Sequence, residues 1–194
     1  MMSISLQKGQ KVSLAKPGGG TLTRVKMGLG WDAVAKKGLF GKKGKAQSID
    51  LDASCLIFDA SGNLADTVWF RQLRSKDGSV LHTGDNLTGA GEGDDEVINV
   101  DLQGLPANIT QLVFTVNSFT GQDFSQIENA FCRLVDEATG QELARYDLSG
   151  SGQHNAQIMA KVSRDGEGWS MTAIGAIATG RTVQHLVPAV TPHL

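Results

Sequence analysis

In the stretch SIDLDASCLIFD, residues 48–59, Ile49, Leu51, Ala53, Cys55 and Ile57 recur at every second position, with Asp50, Asp52 and Ser54 between them. A helix would scatter these residues around its circumference. A β-strand sends them to one face, because successive side chains point to opposite sides. The stretch therefore predicts a strand with one buried face and a polar mouth, until Leu56 and Phe58 take over the second face. Such a strand commits the chain to a sheet with an apolar layer packed on it.

The rest of the chain supplies partners. ASGN (60–63) reads as a turn and LADTVWFRQL (64–73) as the returning hairpin strand. VINVDL begins another strand, and after Pro106 the run QLVFTVNSF (111–119) has the β-branched and aromatic content of a central one. Two hairpins follow, turning at EATG and at RDGEG. Nearer the start, 3–6 and 11–14 read as short strands, and TLTRVKMGLGW (21–31) as a strand entering a Gly-rich turn. Residues 181–187 predict a short C-terminal helix, with Thr179 or Gly180 as a weak cap. With 24 glycines against four prolines to make turns, the expectation is all-β. Its form is a β-sandwich of about eight to ten mainly antiparallel strands with short helical segments. No linker divides the chain, so residues 1–194 are expected to form one domain.

Eighteen basic and 20 acidic residues leave a formal charge of −2, without the basic surplus that nucleic-acid binding uses. Cys55 and Cys132 lie in apolar runs outside any C-x-x-C pair, as buried reduced thiols of a cytoplasmic protein would. The opening MMSISLQKGQKVSL lacks the pattern of a signal peptide, and no run reaches the roughly 18 apolar residues of a membrane span. The expected location is the cytoplasm. KKGLFGKKGK (36–45) gathers five lysines and three glycines around Leu39–Phe40. It reads as a solvated loop, or as a basic patch for anionic lipid or an acidic partner. At about 1 kcal/mol per lysine the patch is marginal as an anchor.

HTGDNLTGAGEGDDE (82–96) poses the functional question. Asp85, Glu92, Asp94, Asp95 and Glu96 crowd together without a Lys or Arg, among glycines that are costly to order. Either the loop is solvated or its oxygens converge on a cation. Calcium suits the donors, since it takes six to eight hard oxygens at flexible geometry. Magnesium prefers fewer protein ligands, and zinc wants His or Cys. The twelve residues 85–96 fail as an EF-hand, with Leu87 at position 3, Gly89 at position 5 and Ala90 at position 6. Asp50 and Asp52, about 7 Å apart along one strand face, supply a second acidic group. Asp32, after GLGW, is a weaker contributor from a third loop. His82 reads as a turn or surface residue. No nucleophile with an ordered base and no phosphate-binding loop appears, so enzymatic use of the carboxylates is the lesser reading.

The succession SLQKGQKVSL, GLGWD, DLDAS, GSVLHTGDNLTGAGEGDDE, DFSQIENAF and ELARYDL resembles the TerD family of tellurium-resistance proteins over nearly the whole chain. SIDLDASCLIFD, TVWFRQL, FTVNSFTGQDF and ENAFCRLVD look most like its TerZ-like branch. The resemblance implies a calcium-binding β-sandwich of a bacterial chemical-stress response, acting as a scaffold and not as an enzyme. It implies other tellurium-resistance proteins as partners, with the inner membrane surface as a further place of contact. Asp50 and Asp52 match the family's acidic pair. Asp85, Asn86, Glu92, Asp94, Asp95 and Glu96 match its second acidic loop. The family commonly has Asp where Glu92 stands, and a histidine–acid pair where this chain has Asn117–Phe119.

Two other readings compete. One is a calcium-independent interaction module that contacts a protein or an anionic membrane through the lysines of 36–45. The other is direct tellurite chemistry at Cys55 and Cys132, against which their apolar surroundings speak.

Overall fold

The computed structural model describes residues 4–5, 7–14, 21–33, 50–84, 93–147 and 152–194. Twelve strands among them form two six-stranded sheets. The first sheet runs β1 (Ile4–Ser5), β10 (Glu142–Asp147), β9 (Ile127–Asp136), β3 (Arg24–Ala33), β7 (Glu96–Asp101), β6 (Val80–His82). The second runs β2 (Lys11–Ser13), β12 (Gly168–Ala178), β11 (Ala156–Asp165), β8 (Ile109–Ser118), β4 (Leu51–Asp59), β5 (Leu64–Val68). Only β1 and β10 pair in parallel; every other described pairing is antiparallel.

The sandwich expected from the sequence is present. Met27, Leu29, Ile98, Cys132 and Leu134 from the first sheet join Cys55, Ile57, Leu112, Phe114 and Met171 from the second in one apolar cluster. Strand β4 shows how alternation builds it. Leu51, Ala53, Cys55 and Ile57 enter this core, while Leu56 and Phe58 point the other way. There they meet Val113, Ile158 and Ile174, and a helix, α1 (Val183–Val190), lies over them. Val183, Leu186 and Val190 are buried against this outer face. Each buried side chain of this size stabilises by about 1.5–3 kcal/mol relative to exposure. Asp59 ends the strand by accepting from the backbone N–H groups of Ser61 and Asn63, which closes the ASGN turn.

Several elements depart from the sequence expectations. The GLGW stretch is no turn: β3 continues through it to Ala33, with a bulge between Gly30 and Asp32. Asp32 therefore belongs to a strand and not to a loop. LADTVWFRQL is a strand only to Val68. Trp69 and Gln72 then exchange backbone hydrogen bonds around Phe70 and Arg71. The helix begins two residues later than expected and runs past Pro188, with Thr182 at its N-cap position. Among the described residues, no helix is long and apolar enough to cross a membrane.

Candidate metal centre

The acidic segment Gly93–Glu96 leads into β7, and its side chains leave in different directions. Glu96 sits opposite Leu29 in the ladder and shares its core-facing side. It is 1% exposed, and its Oε2 accepts from the Ala53 N–H at 2.6 Å. The pairing of β5 with β4 stops at Cys55–Val68, so a carboxylate from the other sheet takes the donor beyond that end. His82 is buried, which corrects the surface placement expected of it. Its Nδ1 accepts from the Gly84 N–H at 3.1 Å, a pattern that assigns the ring proton to Nε2. Nε2 lies 3.3 Å from Glu96 Oε2, an electrostatic contact away from hydrogen-bond alignment.

Asp95 is held against β3. Its N–H donates to Leu29 O at 2.8 Å and its Oδ2 accepts from Trp31 N–H at 3.0 Å. Asp94 goes to the outer face of the first sheet. Arg133 holds it with a two-bond fork, Nε to Oδ1 at 2.7 Å and Nη2 to Oδ2 at 3.0 Å. Donating these hydrogen bonds to Asp94 raises the Arg133 guanidinium above its ordinary value. A third nitrogen, Nη1, reaches Glu142 at 3.3 Å.

The second acidic group lies at the mouth of β4. Asp52, 3% exposed, accepts at Oδ2 from the Asn117 amide at 2.8 Å. The same amide nitrogen donates to the Arg181 carbonyl at 3.0 Å, just before the helix. Asp50 is half-buried, and its carbonyl accepts from the Phe119 N–H at 3.1 Å. Asn117 Oδ1, Thr115 Oγ1 and Ser54 Oγ are fully buried on this face without a hydrogen-bond partner among the described residues. The register sets Asn117 opposite Asp52 and Thr115 opposite Ser54. Hard, unpartnered oxygens beside a buried carboxylate fit an oxygen-seeking cation in their chemistry.

The structure thus brings Glu96 to Ala53, the residue after Asp52, and so seats part of the second acidic stretch against β4. Among the described residues, no three His, Cys, Asp or Glu side chains converge to hold a metal. Asp85, Asn86 and Glu92 lie outside the described residues, as does the lysine stretch 36–45, and the Asp32 side chain is likewise not described. The sequence marks His82 only as a turn or surface residue and Asn117 only as a departure from the family pattern, and it does not single out Arg133. The one signal for Arg133 is Gly28 and Gly30, two residues apart in a strand, a spacing that marks close approach of another backbone.

Both cysteines are free and buried. Burial, with a smaller contribution from Asp66, lifts the Cys55 thiol far above its ordinary value; burial and Asp147 push Cys132 up to about 12. Neither offers a thiolate near neutrality.

The TerD domain family matches residues 2–188. The chain is 52% identical over 184 residues to the tellurium resistance protein TerZ of Serratia marcescens, covering 94% of each. It is 43% identical over 183 residues to general stress protein 16U of Bacillus subtilis (strain 168), covering 90% of this chain and 91% of that one. A crystal structure of a homologue of telluride resistance protein (TerD) from Streptomyces coelicolor A3(2) shares the fold. Its TM-score is 0.69 at 20% identity, over 86% of this chain and 95% of that one. None of these names carries an enzymatic activity. A family match over residues 2–188 and a relative at 52% identity lead to one conclusion: the chain belongs to the TerD domain family of tellurium-resistance and stress proteins.

Proposed function

We propose that this chain is a calcium-binding, non-enzymatic scaffold of a bacterial tellurium-resistance and chemical-stress response. Calcium joins its two acidic stretches. The ion draws its oxygens from Asp50 and Asp52 on one side and from the stretch 85–96 on the other, with Asp32 at the adjoining end of β3. The observation that carries this reading is the Glu96–Ala53 contact at 2.6 Å, which ties the second stretch to the strand bearing Asp52. The buried oxygens of Ser54, Thr115 and Asn117 beside Asp52 support it, because nothing apolar would suit that surface. Neutralising clustered carboxylates stabilises the folded chain by mass action, about 2.7 kcal/mol when calcium stands at 100 times its Kd. The metallated end then presents an ordered surface to other tellurium-resistance proteins, in the cytoplasm or at the inner membrane surface.

Isothermal titration tests the reading. Calcium gives heat and raises the melting temperature, magnesium does so far less, and Asp52→Asn or Asp95→Asn weakens both effects. A chain that shows neither heat nor a melting shift with calcium sinks the proposal.

A further inference from the structure

The acidic segment is fastened to the first sheet by a device that ion ligation does not require. Gly28 and Gly30 alternate with Met27, Leu29 and Trp31, which enter the core, so both glycines face outward. Together they make a strip of bare backbone. A Cβ at Gly28 would overlap the Asp94 carboxyl, and one at Gly30 would stand 2.5 Å from the Gly93 carbonyl and 2.6 Å from the Phe131 ring. Gly93 and Asp94 therefore lie flat on β3 because nothing projects there. Arg133 sits directly across from Gly28 in the ladder, at the distance where its fork meets both carboxylate oxygens. The pair is partly sheltered, with 14% of the Asp94 side chain and 31% of the Arg133 side chain exposed.

We propose that Asp94 and Arg133 form a latch that positions the acidic segment for its cation, and that Asp94 stands outside the ligand shell. The inference rests on the calcium reading above. A carboxylate with both oxygens engaged by one guanidinium already has its charge balanced and its lone pairs directed. Giving it to a metal would leave a sheltered Arg133 beside Glu142 alone. The residue that follows, Asp95, is fixed against β3 by its N–H bond to Leu29 O, one step from the latched position. Asp94 is thus a positioning residue, and Gly28 is its seat.

The test compares Asp94→Asn, Arg133→Lys and Gly28→Ala in the full chain by calcium titration. Arg133→Lys keeps the charge and loses the fork. For a latch, each variant weakens calcium binding by about 10-fold, the scale of outer-shell changes at metal sites, with unchanged stoichiometry. The Asp94→Asn/Arg133→Lys double variant is no weaker than either single one. Calcium affinity unaltered by Arg133→Lys, or lost stoichiometry in Asp94→Asn alone, overturns the latch and makes Asp94 a ligand. Amide exchange in calcium-free protein supplies a readout independent of the metal. The Asp95 and Trp31 amides, bonded to Leu29 O and Asp95 Oδ2, exchange faster in all three variants. No acceleration overturns the latch even where calcium binds. Absence of calcium heat from the unaltered chain instead overturns the calcium reading, and the positioning role with it.

Discussion

The two sheets cover their outer faces by opposite means. Over the second sheet, α1 buries Val183 and Val190 against Leu56, Phe58, Val113, Ile158 and Ile174, an apolar lid beside the polar patch of Asp52, Ser54, Thr115 and Asn117. Over the first, an acidic segment rests on two glycines and is held by one arginine. The lid depends on removal of apolar surface from water, which needs no orientation and resists salt. The latch depends on a directional pair of charges, which salt screens wherever water reaches it. The apolar lid is therefore indifferent to salt, while the Asp94–Arg133 pair responds to it.

Substitutions on each face put this contrast at risk, in descending order of effect. Phe58→Ala removes a ring that is 2% exposed under the lid and costs about 3–5 kcal/mol in urea unfolding. That deficit stays constant as salt is raised. Arg133→Gln costs about 1 kcal/mol, discounted for the exposure of the guanidinium. Its deficit shrinks between 0.1 and 1 M salt, over which the screening length falls from about 10 to about 3 Å. Equal salt dependence in the two variants would erase the distinction between lid and latch.

The smallest effect concerns pH. His154 precedes β11 in the second sheet, against Phe124. Burial holds its imidazole below the ordinary value of 6.5, partly offset by the neighbouring Gln157 amide and the charge of Asp123. The unfolded chain takes up that proton first, so the stabilising contribution is complete above about pH 6.5 and declines as pH falls below it. His193, held down by burial and by Lys161 and Lys8, acts in the same direction. Unfolding measured from pH 7.5 downward slopes accordingly, and His154→Gln flattens part of that slope. An unchanged slope would assign the acid sensitivity elsewhere.

How far the sequence disclosed these features depends on how local their causes are. The alternation of Leu51, Ala53, Cys55 and Ile57 is a property of one strand and reads directly as the core. Leu56 and Phe58 announced that a second face was covered, and the helix that covers it was within reach of the same reasoning. Strand β6 escapes the sequence because its three residues, VLH, show no alternation of apolar with charged or hydroxyl side chains. GLGW looked like a turn because glycine usually signals one; here it makes room for a segment more than 60 positions away in the chain, a reason no local window contains. Clustered carboxylates can be counted in a sequence, but which of them an internal arginine already holds depends on the register of β3 against β9. The buried contact of His82 with Glu96 hides for the same reason.

The Glu96–Ala53 bond has one more consequence. Every antiparallel ladder that stops short of its neighbour's end leaves a backbone amide on which a strand from another molecule can begin to pair. In the second sheet that amide, beyond the last β5 pairing, is already taken by a side chain reaching across from the opposite sheet. At this position the sandwich caps its own ladder, and a foreign strand finds no donor from which to extend it.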